Sequence, residues 1–209
     1  WGIEVVKRIE HVYGKADLIT ATNVFAHVDD VEEFMRAAAY ILASDGVLVM
    51  EFPYLIDFIE NKEFDTIYFE HLRYFSVLPL LLLCNKFGLE LLHVQTEAIH
   101  GGSLRVTIGR GIPDGTASEF IENEKKRGYT EFEKYSQFAK DVKTTIIDFR
   151  EKLHNIQGVV AGFGASAKGN TLLNSAGIIQ GMIKYIVDET PEKIGKYSPG
   201  TRIPIVAMI

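Results

Sequence analysis

The stretch from Ala16 to Pro53 constrains the fold more than any other: an apolar run, ADLITATNVF, an amphipathic pattern, VEEFMRAAAYIL, and a second apolar run, GVLVMEFP. Strand, helix and strand in that order, with strands that are nearly continuously apolar instead of alternating, read as a parallel sheet covered on both faces. Asp29 or Asp30 is placed to cap the helix, and Asp45-Gly46 to end it.

The following segments finish that sheet. Ser76 can cap a helix VLPLLLLCNKF that Gly88 closes, and LELLHVQTEAI and SLRVTIGR read as two antiparallel strands joined at HGG. Residues 1–110 therefore read as the second half of an α/β sheet domain. Residues 111–156 form a linker and a long helical segment: GRGIPDGTAS opens it, Gly128 breaks it, and Phe138, Val142, Ile146, Phe149 and Leu153 follow at three- and four-residue spacing. From 157 to 209, GVVAGFGASAKGNTLLNSAG and IKYIVDET give strand, glycine turn, helix and strand, a second and incomplete α/β unit. The chain opens on Trp1 instead of Met and closes in the strand-like IPIVAMI, so it is expected to be part of a longer protein.

Composition removes several function classes. A formal net charge of -6, with Lys and Arg scattered along the chain, offers no field to a polyanion, and nucleic acid is not expected as a partner. Cys84 is the single cysteine, which excludes an intrachain disulfide or a cysteine-based zinc cluster and fits a reducing, cytoplasmic compartment. The longest apolar run, VLPLLLLC, is far too short for a bilayer, and no signal peptide opens the chain, so no membrane partner is expected.

Three motifs carry candidate chemistry. Gly162, Gly164 and Ala167 fit G-x-G-x-x-A between a strand and a helix, and Asp188 ends the next strand. That turn is open to three readings: a dinucleotide site with Asp188 on a ribose, a tight turn that needs glycine and binds nothing, or a helix start that holds a substrate's pyrophosphate with Lys168. The second motif, YFEHLRYFS from Tyr68 to Ser76, follows the strand GVLVMEF, and open α/β sheets place their chemistry beyond the carboxyl ends of strands. Its histidine can act as a general base whose tautomer a neighbouring phenol or carboxylate sets, or the loop can be tied into structural hydrogen bonds. His27, in NVFAHVDD, also follows a strand end, as a site residue or a helix-entry residue. In HGGSLR, His100 to Arg105, two glycines allow close backbone approach, and Arg105 is either an anion contact or an ordinary strand arginine. No histidine spacing matches a zinc motif, and no G-x-S-x-G elbow is present.

Taken in order, NVFAHVDD, the EFPY after the second strand, EFDTIYFEHLRYFS, IHGGSLRV, GFGASAKGNTLLN and VDETPEKIGKYSPGTRIPI resemble the sugar C-methyltransferases. Those enzymes use S-adenosylmethionine to methylate C3 of nucleotide-linked 4-keto-6-deoxy sugars. The resemblance implies the C-terminal half of a class I methyltransferase Rossmann-like sheet, then a helical segment and a second, incomplete Rossmann-like domain. The family's zinc-binding segment and glycine-rich cofactor loop would lie ahead of Trp1, leaving no metal in this chain. The implied cofactor is S-adenosylmethionine, and the implied partner is a nucleotide-linked deoxysugar. Through E-H-x-x-Y-F-S, His71 matches the base that removes the C3 proton, while Tyr68 and Glu70 match neighbours that orient it or contact the sugar. His27 matches a histidine facing the reacting centre that can stabilise the enolate oxygen, and Asn23 and Val24 border the methionine part of the cofactor. Tyr74, Ser103, Arg105, Gly164 and Lys168 match contacts to the nucleotide sugar. Two rivals stay open, an NAD-dependent oxidoreductase built on the glycine turn and a non-catalytic remnant that binds the sugar nucleotide. The sequence assigns no oligomeric state.

Overall fold

The structure is a computed structural model that describes residues 1–99 and 101–208. It divides into two units, Trp1–Asn61 with Glu70–Tyr135, and Lys62–Phe69 with Ser136–Ile209.

In the first unit, helix α1 (Ile3–Tyr13) leads into strand β1 (Ala16–Thr22), a 3₁₀ turn (Phe25–His27), helix α2 (Val31–Ile41) and strand β2 (Leu42–Pro53). The two strands pair in parallel, with Leu18 opposite Val47 and Thr22 opposite Glu51, as their apolar runs require. Asp30 caps α2, its carboxylate accepting the Glu33 N–H at 2.9 Å. Strand β1 stops short of Phe25 because Asn23 turns into the left-handed region at φ 54, which asparagine tolerates better than most residues. After a short helix α3 (Leu55–Glu60) come α4 (Val77–Lys86), strands β3 (Glu90–Glu97) and β4 (Ser103–Gly109), and helix α5 (Thr116–Lys126). The sheet order is β1-β2-β4-β3, so β4 inserts between β2 and β3 and runs antiparallel to both. The fold is thus mixed α/β.

Alternation decides which face is dry. Leu48, Met50 and Phe52 on β2 stand opposite Ile108, Val106 and Leu104 on β4, and all six are fully buried. Each such side chain contributes about 1.5–3 kcal/mol over its exposed state. Helix α2 buries Phe34, Met35, Ala38 and Ile41 and leaves Arg36 exposed, while α4 buries Val77, Leu80 and Cys84. Ser76 occupies the N-cap of α4, but its side chain makes no capping hydrogen bond. Glu124 of α5 caps the helix instead, accepting the N–H groups of Val77 at 2.8 Å and Leu78 at 3.4 Å.

The second unit contains a 3₁₀ turn (Phe64–Thr66), most of helix α6 (Phe132–Asn155), strand β5 (Ala161–Phe163), helix α7 (Ala167–Ser175) and strands β6 (Tyr185–Val187) and β7 (Ile205–Val206). The strands are parallel in the order β5-β6-β7. Of IPIVAMI only Ile205–Val206 is strand, and Ile209 lies outside the described residues. The core gathers Leu173, Ile178, Ile183, Ile186 and Ile203, against which α6 packs Ile146, Phe149 and Leu153 from its apolar stripe.

Candidate functional site

In the first unit the candidate chemistry gathers where β1 ends. Asn23 donates its N–H to the Glu51 carbonyl at 2.8 Å, and Val24 beside it is 47% exposed. Phe25 then drops into the core, stacked on Phe75 with ring centroids 4.7 Å apart, and that anchor fixes the turn carrying His27. Three further contacts strap the segment after Glu70 onto this turn. The Glu70 carbonyl lies 2.8 Å from His27 Nδ1, Leu72 donates its N–H to the Ala26 carbonyl at 3.0 Å, and Arg73 donates its guanidinium to the carbonyls of Val28 and Asp29.

These straps bring the two histidines together. The rings of His27 and His71 sit edge to face, with centroids 4.9 Å apart. A carbonyl only accepts, so His27 donates from Nδ1, and in the neutral ring the lone pair falls on Nε2. Tyr74 packs its ring on Phe58 at 4.7 Å, and Glu70 is exposed. Tyr68 is carried by the second unit, half-buried, with its N–H donated to the Thr66 carbonyl at 3.1 Å.

The hairpin residues read by sequence are held by protein groups. Ser103 is fully buried and donates its hydroxyl to the Ile99 carbonyl at 3.2 Å. Arg105 lies between two carboxylates: its Nε and Nη2 donate to Glu51 Oε2 at 2.9 and 2.7 Å, and its Nη1 pairs with Glu97 at 2.6 Å. Gly102, at φ +119, has no side chain to compete with the Asp57 carboxylate, which fills the space a Cβ would need. Burial, with Glu60 nearby, holds the Asp57 carboxyl above its usual range. His100 lies outside the described residues.

In the second unit the glycine turn borders a cleft of about 730 Å³ whose lining includes Gly164, Ser166, Asn170, Lys193, Lys196 and the acidic Glu192, along with apolar side chains. Gly164, at φ +84, donates its N–H to the Val187 carbonyl at 2.7 Å, and Ser166 caps α7 by accepting the Gly169 N–H. Lys168 is exposed on α7 and is not among the lining residues; Lys193 and Lys196 bring the positive charge. Asp188 accepts the Thr190 N–H at 2.8 Å, the Ala165 N–H at 2.7 Å and Lys193 Nζ at 3.3 Å. Those bonds, from Thr190 first, hold its carboxyl well below the usual carboxylate range.

Two chemistries are left without support among the described residues. No group of three His, Cys, Asp or Glu side chains is arranged to hold a metal ion, and no helix is long and apolar enough to cross a membrane. Cys84 is no nucleophile, because burial pushes its thiol up to about 12.

Fold and site together define an α/β protein with paired imidazoles beyond the carboxyl end of a parallel strand. The chain belongs to the C-methyltransferase C-terminal domain family, which residues 98–208 match, and residues 2–94 match the methyltransferase domain family. It is 34% identical over 209 residues to the C-methyltransferase NovU of Streptomyces niveus, and it spans 50% of that relative's length. Among solved structures it is similar to a magnesium protoporphyrin IX methyltransferase from Synechocystis PCC 6803, at 12% identity and a TM-score of 0.37 over 46% of each chain. A possible histamine N-methyltransferase from Thermotoga maritima gives 21% identity and a TM-score of 0.36 over 46% of this chain and 56% of that one.

Proposed function

We propose that the protein carrying this chain is an S-adenosylmethionine-dependent C-methyltransferase of the cytoplasm that methylates a nucleotide-linked 4-keto-6-deoxy sugar at C3. Residues 1–110 then belong to its methyltransferase domain and residues 157–209 to a Rossmann-like domain. The observation that carries the reading is the His27–His71 pair, strapped beside the end of β1 in a chain of the C-methyltransferase family.

Asn23 and the exposed Val24 set a polar side chain next to an apolar one at that strand end, a pairing that fits the amino-acid head and the methylene chain of the cofactor's methionine part. When bound, S-adenosylmethionine supplies an electrophilic methyl group. His71 takes the proton that the C4 ketone has acidified at C3, leaving an enolate whose carbon is the nucleophile. His27 steadies the enolate oxygen, either as a donor from Nε2 when protonated or by orienting a water when neutral. Glu70, through its carbonyl, fixes the His27 tautomer. An oxidoreductase reading of the glycine turn has against it that Asp188 already binds the N–H groups of Ala165, in the glycine turn, and Thr190, in its own turn, so its carboxylate is engaged from both.

The test is to incubate the full-length protein with methyl-labelled S-adenosylmethionine and a dTDP-4-keto-6-deoxy sugar and to locate the label by NMR. Label on C3 supports the reading. Label on oxygen or nitrogen, or no transfer with any such sugar, refutes it.

A further inference from the structure

Arg105 sits at the centre of the sheet's half-open face and joins three strands. From β4 it donates twice to Glu51 on β2, at 2.9 and 2.7 Å, and once to Glu97 on β3, at 2.6 Å. Gln95, opposite Arg105 on β3, steadies Glu97 by donating its amide to it at 2.6 Å. Glu51 is only 5% exposed, so its carboxylate depends on this fork for its charge compensation. The main chain of the same glutamate holds the neighbouring strand end: its carbonyl accepts the Asn23 N–H at 2.8 Å, where Asn23 is held left-handed at φ 54. Asparagine enters that region more readily than most residues, and the bond to the Glu51 carbonyl holds it there.

We infer that Arg105 is a positioning residue for the cofactor-side turn, acting through Glu51. The fork fixes the Glu51 side chain, hence the end of β2, hence the carbonyl that keeps Asn23 left-handed and Val24 presented at the strand end. Removing the guanidinium leaves two carboxylates facing each other across the strand between them. Glu51 must then swing toward water, and the end of β2 shifts with it. Substrate contact is a different role for the same side chain, and it predicts a different kinetic signature. The inference rests on the reading of Asn23 and Val24 as the cofactor's border.

The experiment uses the full-length protein with Arg105→Met, which removes the charge, and Arg105→Lys, which keeps the charge and loses the fork. Calorimetry gives the Kd for S-adenosylmethionine, steady-state kinetics the KM for the nucleotide sugar, and thermal melting the Tm. Arg105→Met is expected to weaken cofactor binding roughly 3- to 30-fold with the sugar KM changed less than about twofold, and Arg105→Lys to fall between it and wild type. If Arg105→Met does not fold, Arg105→Lys alone carries the test, with the same direction expected. A raised sugar KM with unchanged cofactor affinity overturns the inference in favour of substrate contact. A lowered Tm with both constants unchanged overturns it in favour of a purely structural tie. Wild-type protein that binds no S-adenosylmethionine overturns the functional reading and this inference together, whereas wild-type binding with unchanged variant affinity overturns this inference alone.

Discussion

Glu124 should be among the most costly residues in the first unit to truncate. Its side chain is 2% exposed and serves three donors: the Tyr54 hydroxyl at 2.9 Å, the Val77 N–H at 2.8 Å and the Leu78 N–H at 3.4 Å. Burial and the adjacent Glu124 carboxylate push the Tyr54 phenol above its ordinary pKa, so Tyr54 stays a donor at any working pH. Glu124→Ala would strand the hydroxyl and the first two N–H groups of α4 where water enters poorly. At about 1–3 kcal/mol for each of the two short bonds, and little for the long one, the loss comes to roughly 2–6 kcal/mol. Glu124→Gln keeps a carbonyl oxygen at the Oε1 position, where Tyr54 and Val77 both donate, and loses the charge and the long Leu78 bond, so it should cost less than half as much. Urea unfolding of the full-length protein, followed by circular dichroism at equal slope for each variant, measures both. An Ala variant within about 1 kcal/mol of wild type, or a Gln variant as damaged as Ala, would refute the capping argument.

Further predictions concern pH, the hairpin and the two candidate sites. His93 donates from Nδ1 to Asp114 at 2.6 Å and from Nε2 to Gln95 at 3.0 Å, and these bonds, Asp114 first, raise its pKa. A raised folded pKa stabilises in full below the unfolded value of about 6.5 and stops doing so as pH rises through the folded one, so the Tm gap between wild type and His93→Gln should be widest below about 6.5 and narrow as pH rises above it. A gap that stays flat would sink the argument. A Cβ on Gly102 would lie 2.2 Å from Asp57 Oδ2 at a backbone φ of +119, so Gly102→Ala should cost about 1–3 kcal/mol; an unmoved urea midpoint would show that the hairpin yields freely. His71→Asn in the full-length protein should lower turnover on the order of 10²- to 10⁴-fold with cofactor binding intact, and wild-type deuterium exchange at C3 in that variant would remove His71 as the base. Because Lys196 lines the 730 Å³ cleft and Lys168 does not, Lys196→Ala should raise the nucleotide-sugar KM about tenfold and Lys168→Ala much less; the reverse order would place the pyrophosphate on α7 instead.

What could be read from the sequence was set by how local its physical cause is. Strand β1, helix α2 and strand β2 announce themselves because their apolar periods and the Asp30 cap all act within a few residues of one another, although α2 ends at Ile41 and Asp45-Gly46, read as its end, lies inside β2. The insertion of β4 between β2 and β3 carries no local mark, since antiparallel neighbours and a hairpin with a detached partner share the same alternation. Helix α3, at six residues, is too short to show a period. Ser76 suffices as a cap by residue type and position, yet the carboxylate that satisfies α4 comes from Glu124 on a helix far along the chain, and no window of sequence contains both.

The candidate site divides along the same line. That His27 and His71 each follow a strand is a local statement, whereas their meeting at 4.9 Å depends on straps between the Phe25–His27 turn and the segment after Glu70. Arg105 shows why a residue type alone cannot assign a role. An arginine beside glycines offers itself to an anion, and only the register that sets Glu51 opposite it, with Glu97 within reach, shows that two anions are already in place. Asp188 is the counterpart in the second unit: the same acid at a strand end serves a ribose or its own turn, and what decides is whether the nearby N–H groups point at it. Those of Thr190 and Ala165 do, so the carboxylate's acceptor sites are taken from two sides and Lys193 meets it from a third. A ribose hydroxyl would have to share that carboxylate with three donors already in place, which supports the proposed reading of the glycine turn over a dinucleotide one.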